Sequence, residues 1–329
     1  MAQSSVRQKA RSLARQFARL RRVVSFAHLR SELSMSPTIL ICGATGTVGT
    51  VLTDTLIGRG VSVRALVRDR VRARWLGHPF VDLAEGDFRR PKTLDAALEG
   101  IDRVFLLSPP ALNQVTLQGN VVEAVQRTGR ELHLVKVSAY GVGPEAPTQF
   151  ARWHAVTEAQ ITNADLPVTF LRPHFFMQHL FAAAPDLRTD GVLYGALGDA
   201  ALPLIDAKDV AAVAAEVLTG RGHEGQVYTL TGPESLTYTD VAATFTRVLG
   251  KSVTYVDLPP ERYRSMLLSG GMPSWLAEGL TEQAQSCQTN PASPTTPTVA
   301  QLVGRPARSL EAFVYGHTDA FRPPARAAV

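Results

Sequence analysis

Ile39-Leu40-Ile41-Cys42-Gly43-Ala44-Thr45-Gly46-Thr47-Val48-Gly49 is a short apolar, β-rich run that opens into three glycines and continues as a helix-period apolar stretch from Val51 to Ile57. Strand, glycine turn and helix in that order are what the phosphates of a dinucleotide require. Glycines let the backbone come close, and a helix N-terminus presents free N–H groups and the positive end of its dipole. The spacing Gly-x-x-Gly-x-x-Gly alone is weak, because glycines also serve plain turns. Here the flanking strand and helix are present, and a second strand, Val61 to Val67, arrives at the interval of a dinucleotide-binding unit. The turn from Gly43 through Thr45, Gly46, Thr47 and Val48 to Gly49 is therefore the expected cofactor cradle.

The end of that second strand reads Ala65-Leu66-Val67-Arg68-Asp69-Arg70. A carboxylate at this place accepts hydrogen bonds from the ribose hydroxyls of NAD, whereas an arginine pairs bidentately with the 2′-phosphate of NADP. Arg68 takes the basic role and points to NADP. Asp69 keeps the other cofactor open, and a solvated loop charge is the plain alternative for Arg68.

Strands and helices go on alternating: strands near Val81 to Leu83, Arg103 to Leu107, Leu132 to Val137 and Val168 to Leu171, with helices around Leu94 to Leu98 and Leu117 to Thr128. That order predicts an α/β fold with a doubly wound parallel Rossmann sheet, its ligands lying beyond the carboxyl ends of the strands. Those ends are the Gly43 loop, Arg68, Asp87-Phe88, Leu107-Ser108-Pro109-Pro110 and Ser138-Ala139-Tyr140. Further along, a strand is expected at Gln226 to Leu230, a helix from Thr239 to Leu249, a strand from Val253 to Asp257 and a mainly helical end. Residues 36–180 are assigned to the cofactor-binding core and 181–329 to the remaining sheet elements and a smaller substrate lobe. The Pro/Thr/Ser-rich stretch from Gln288 to Thr298 reads as an exposed loop.

At 329 residues with 45% hydrophobic and 19% charged, the chain has the composition of a globular protein, which excludes disordered and collagen-like classes. No apolar run is long enough for a membrane span. Two cysteines, Cys42 and Cys287, are too few for a disulfide framework or a thiolate zinc site, and no metal is expected. His174 and His179, five apart, face away from each other on a helix. The net charge of +5 comes from the first 34 residues, where Arg7, Lys9, Arg11, Arg15, Arg19, Arg21, Arg22 and Arg30 meet only Glu32. The rest is close to neutral, which argues against nucleic-acid binding through the main domain. Residues 1–35 fit a disordered extension ahead of a domain beginning near Met35, a mitochondrial transit peptide, or a helix drawn to anionic lipid or nucleic acid. The first is preferred. Arginines far outnumber lysines, as in GC-rich bacterial coding, which favours the cytoplasm; a mitochondrial address is the alternative.

The segments ILICGATGTVG, VRALVRD, EGDF, VFLLSPP, LVKVSAYG, LPVTFLRPHFFMQ and GRPARSLEAF, between Pro37 and Phe321, together resemble the NmrA-like atypical short-chain dehydrogenase/reductase family. The resemblance implies an NADP cofactor contacted by Gly43, Thr45, Gly46, Val48, Gly49, Arg68, Asp87, Phe88, Leu107 and Ser108; Thr47 and Ser138 are counted with them. It spans quinone and dye reductases, biosynthetic proteins and NADP-binding redox sensors, so it does not choose between enzyme and regulator. The Tyr-x-x-x-Lys pair of standard short-chain reductases, in which the tyrosine protonates the substrate oxygen, is absent at all seven tyrosines. By the family's register, Phe150 and His154 stand where tyrosine and lysine would, four residues before Glu158.

Without that pair, hydride transfer is expected to an acceptor that is already electron-poor, a quinone, enone or similar conjugated molecule. His154 and Tyr140 are the candidate proton donors; packing beside the cofactor is the plain alternative for His154, and an aromatic pocket wall for Tyr140. Pro109, Tyr140, Trp153, His174, Phe175, Phe176 and Met177 are the expected walls of a flat apolar substrate pocket, although any one of them is as easily core. The leading expectation is an NADP(H)-dependent oxidoreductase taking a small aromatic or conjugated substrate. The rivals are a non-catalytic NADP-binding sensor and a biosynthetic tailoring protein on the same scaffold. The oligomeric state, monomer or homodimer, is left open.

Overall fold

The computed structural model describes residues 38–143 and 145–322. The basic N-terminal extension, and every expectation placed on it, lies outside them. The alternation read from the sequence is realised as β1 (Ile39–Cys42), α1 (Thr47–Gly58), β2 (Val63–Val67), β3 (Val81–Glu85), α2 (Lys92–Leu98), β4 (Arg103–Leu106), α3 (Gln114–Arg127), β5 (His133–Val137), α4 (Gln149–Asn163) and β6 (Val168–Pro173). After these come α5 (Ala184–Thr189), β7 (Val192–Gly195), α6 (Ala207–Thr219), β8 (Val227–Leu230), α7 (Tyr238–Leu249), β9 (Thr254–Asp257), α8 (Pro260–Ser269), α9 (Ser274–Thr289), α10 (Thr298–Val303), α11 (Leu310–Gly316) and α12 (Thr318–Phe321).

Seven strands form one parallel sheet in the order β3-β2-β1-β4-β5-β6-β8. β1 and β5 are buried along their whole length, as central strands of a sheet covered on both faces must be. The chain winds outward from β1 to β3, then returns to lay β4 on the other side of β1. This reversal separates the carboxyl ends of β1 and β4 and opens a crevice between them. One face of the sheet is covered by α1 and α6, the other by α2, α3 and α4. A third apolar cluster gathers Leu180, Leu187, Leu193, Phe245, Phe313 and Phe321 from the second half of the chain.

The second half adds detail that the sequence reading lacked. β7 has only four residues and pairs with β9 in a separate two-stranded sheet; so short a run carries no periodicity to reveal it. Met177–Ala183 is a 3₁₀ segment. The stretch from Gln288 to Thr298 is for the most part the exposed loop expected, but it is anchored. Thr289 still belongs to α9, Ser293 is buried, Thr296 N–H donates to Thr231 Oγ1 at 2.8 Å, and Thr296 Oγ1 donates to the Thr229 carbonyl at 2.8 Å.

Helix α6 is the central support. Its alanines and valines are buried, and their small size lets it pack closely beside α1 and against β4, β5 and β6 of the sheet. Asp206 caps it by accepting from Lys208 N–H. Asp209, 0% exposed, is compensated by Arg305 at 2.8 Å, by the Arg308 guanidinium and by the Arg308 N–H. The GRPARS segment thus clamps the end of the chain to α6, and Ser309 caps α11. Asp209→Ala breaks this clamp. Because both guanidinium groups keep about a third of their surface in water, the loss expected in urea unfolding is about 3 kcal/mol, the lower end for a buried pair.

Candidate active site

A groove of about 500 Å³ lies in the crevice between the ends of β1 and β4. Its floor is the glycine turn, and each glycine there has its own reason. Gly43 holds φ +80°, and a Cβ on it would meet the Leu107 carbonyl oxygen at 2.7 Å. A Cβ on Gly49 would fall 2.1 Å from the Gly43 carbonyl oxygen. Gly46 is the N-cap of α1, with no side chain capping the helix and no acidic residue in its first turn. The N-terminal N–H groups of α1 therefore carry an unneutralised partial positive charge at the groove floor, suited to a diphosphate.

Thr45, Thr47, Val48, Arg68, Asp87, Phe88, Leu107 and Ser108 line the same groove, together with Pro109 and Phe176. Gly49 supports the turn from beneath. Asp69 is spent locally: its Oδ1 accepts from Val71 N–H at 2.8 Å and Arg72 N–H at 3.0 Å, and it does not line the groove. Arg68 and Arg89 both line it, and neither joins an ion pair among the described residues. Asp87 Oδ1 accepts the Arg89 N–H at 2.9 Å and so shapes that rim. Arg89, Asn113, Gln178, His179 and Ala207 also line the groove and escaped the sequence reading. Gln178 bridges the exit of β6 to the start of α6, donating to Asp206 at 2.7 Å and accepting from Ala207 N–H at 3.0 Å.

The remaining expected site residues divide. Tyr140, 39% exposed, lies over His174 with ring centroids 4.5 Å apart, and Phe175 continues the row at 5.3 Å from His174. His174 Nδ1 accepts the Phe175 N–H at 2.9 Å, and burial lowers its pKa to about 4, so the ring is neutral at pH 7. Trp153 sits apart, between Phe150 and Trp275. Met177 is a correction: at 1% exposure it belongs to the apolar core of the second half and walls no pocket. Phe150, in the register position of the missing tyrosine, packs its ring against Gly279 of α9.

Ser138 is buried, and its Oγ has no hydrogen-bond partner among the described residues. Buried polar atoms of this kind are rare and mark places where water or a ligand completes the bonding. The register pairs Leu106 with Lys136, so Ser108 and Ser138, each two residues further, end adjacent strands. Gln118 donates to Ser108 Oγ at 2.8 Å and leaves its own Oε1 unpartnered. His154 does not line the groove; its Nδ1 lies 2.8 Å from the Nζ of Lys136. Burial, and then the nearby lysine, hold His154 well below the ordinary histidine range. Lys136 was missed by the sequence reading, although a lysine inside the apolar run of β5 was the available signal. Glu158 is buried and paired with Arg172 through both oxygens, at 3.1 and 2.5 Å.

A parallel sheet with its glycine turn at the point of strand reversal defines a nucleotide-binding protein of the reductase type, and the sequence profile of the NmrA-like family matches residues 35–314. The chain belongs to that family. It is 36% identical over 283 residues to an NAD(P)H azoreductase of Xenophilus azovorans, covering 86% of this chain and 99% of that protein. The NADPH-dependent quinone oxidoreductase of Escherichia coli, solved with NADPH, superposes with a TM-score of 0.78 at 29% identity, covering 85% of this chain and 99% of that one. The triphenylmethane reductase of Citrobacter sp., solved with NADP(H), gives 0.75 at 26% identity over 84% of this chain and 99% of that one.

The glycine geometry is open to direct test. Gly49→Ala forces α1 away from the turn and is expected to weaken NADPH binding by more than about tenfold and to lower the melting temperature. Gly58→Ala, in the same helix but with open space at its Cβ, is expected to keep the affinity and to gain about 0.5 kcal/mol. Calorimetric titration and thermal unfolding of the two variants read both effects.

Proposed function

We propose that the protein is an NADP(H)-dependent oxidoreductase that passes hydride to a flat, electron-poor conjugated acceptor. The observation that carries the cofactor half is the groove at the strand reversal, where an uncapped helix N-terminus and two arginines without carboxylate partners face one cavity. The cradle fits a dinucleotide diphosphate, because Gly43 and Gly49 let the turn close on α1 and leave the helix N–H groups uncapped at the groove floor. Arg68 and Arg89 suit a 2′-phosphate, and Asp69, already committed to its own turn, is a poor acceptor for the ribose hydroxyls of NAD. Bound NADPH supplies a hydride; the chain supplies orientation, an apolar wall and a proton.

The acceptor half rests on what surrounds the strand ends. Pro109 and Phe176 wall the groove, and Tyr140, His174 and Phe175 form an aromatic row beyond β5 and β6. Aromatic faces hold a planar conjugated molecule better than an aliphatic ketone. With Phe150 in place of the tyrosine acid, no donor stands where a standard short-chain reductase protonates an unactivated ketone, whereas a quinone, an enone or a delocalised cation accepts hydride on its own electron deficiency. The azoreductase and quinone reductase relatives support the same substrate class.

NADPH oxidation followed at 340 nm against a panel of quinones, enones, azo dyes and simple ketones tests this function. Turnover is expected with the conjugated acceptors and not with the ketones; tight NADPH binding without oxidation of any acceptor would replace the enzyme by a cofactor-binding sensor. Arg68→Ala is expected to reduce the preference for NADPH over NADH by about one to two decades, the worth of a charge-assisted hydrogen bond. Equal affinities for the two cofactors in the unmodified protein would reject the assignment of Arg68.

A further inference from the structure

Lys136 is 0% exposed in the middle of a parallel strand, with Leu106 and Phe170 as its neighbours in register. An ammonium group taken out of water costs several kcal/mol unless it is paired. Among the described residues its Nζ has only the Val137 carbonyl, at 3.3 Å, and His154 Nδ1, at 2.8 Å. The charged groups that face it are Glu158 of α4 and Arg172 of β6, and these are already bonded to each other. A leucine or methionine at this position would fill the sheet without the desolvation cost, so stability does not account for the lysine.

The pair fixes a tautomer. An ammonium only donates, so Nδ1 of His154 accepts and the ring's own proton sits on Nε2. Nε2 has no hydrogen-bond partner among the described residues. Lys136 is sealed whereas His154 is only partly buried, so of the two only the histidine keeps contact with solvent.

Building on the oxidoreductase proposed above, we propose that Lys136 is a positioning residue that holds His154 as an Nε2–H donor and refills it with a proton as the reduced acceptor is protonated. Hydride from NADPH leaves an electron pair on the acceptor's heteroatom or α-carbon. There the new bond to hydrogen forms as Nε2–H of His154 breaks, and the Nζ–H of Lys136 breaks as Nδ1–H forms. The imidazole stays neutral throughout, and Lys136 is left as the amine. Water then protonates Nε2, and the Nδ1 proton returns to Nζ, so each turnover consumes one proton from solvent. Burial lowers the Lys136 pKa to about 7, with Glu158 opposing and Arg172 assisting the shift. The proton-bearing ammonium therefore prevails below pH 7 and is lost as pH rises through it, and the assisted rate should fall in the same window.

Two acceptors separate this relay from mere packing. A quinone gaining hydride needs a proton, whereas a triarylmethyl cation gaining hydride becomes a neutral hydrocarbon and needs none. Lys136→Met, nearly isosteric and apolar, is expected to lower the quinone rate at pH 6 by about 10²-fold, the scale of general acid catalysis. It should also abolish the fall above pH 7, leaving NADPH affinity and the cation rate nearly unchanged. Nitrogen-15 NMR of the unmodified protein at pH 6, without cofactor, is expected to place the His154 proton on Nε2, and Lys136→Met to release that preference. An Nδ1–H tautomer in the unmodified protein overturns the relay even if the variant fails to fold, as does equal loss of both rates in a folded variant. Reduction of the cation but no quinone by the unmodified protein also overturns it. Failure to reduce any acceptor rejects instead the function on which the relay rests.

Discussion

The carbonyl oxygen of Gly43 occupies the space in which a side chain on residue 49 would begin, and much of the groove depends on that closeness. It brings the first turn of α1 down onto the end of β1 and leaves the helix N–H groups uncovered at the mouth of the crevice. The same carbonyl accepts from Gly46 N–H at 2.9 Å, so the turn is held by its own backbone and no side chain competes with a ligand. On the far side Gly43 touches the Leu107 carbonyl, which couples the turn to the strand that begins the second half of the sheet. The ladder that pairs β1 with β4 fixes the distance between these strands, and the closeness at Gly43 leaves no room there for a side chain.

Around this fixed floor the chemistry is arranged by distance from water. At one end exposed arginines wait for an anion, and their value lies in geometry and charge. At the other, Lys136, His154, Glu158 and Arg172 lie in or beside the core, where charges interact strongly and each unmet group is costly. Short-chain reductases with the Tyr-x-x-x-Lys pair keep acid and lysine one helical turn apart. In this chain the lysine comes from the neighbouring strand and the histidine from the helix, so α4 and β5 must hold their mutual position for the two to meet at 2.8 Å.

Legibility in the sequence followed physical range. The glycine turn, the β2 end and the parallel strands were readable because each is specified by residues within a few positions of one another, by φ requirements at Gly43 or by unbroken apolar runs such as Ile39 to Cys42. β7 escaped because four residues carry no period. Met177 was assigned to a pocket because composition cannot tell an aromatic wall from a core when both are apolar, and only the packing of the second half decides it. The His154–Lys136 contact spans 18 positions and two elements, so neither residue announces its partner. Asp69 shows the reverse case. Its identity raised the NAD alternative, and its two backbone bonds, to neighbours only two and three residues away, remove it from competition.

The clamp on Asp209 has a consequence for how the chain comes off the ribosome. Helix α6 packs beside α1 on the sheet with a buried carboxylate in its first turn, yet the two guanidinium groups that neutralise it are 96 and 99 residues downstream. During synthesis the glycine turn, β1 to β6 and α6 are all outside the exit tunnel before Arg305 and Arg308 have been made. The buried carboxylate at the start of α6 thus stays without its two partners until the last tenth of the sequence has been translated.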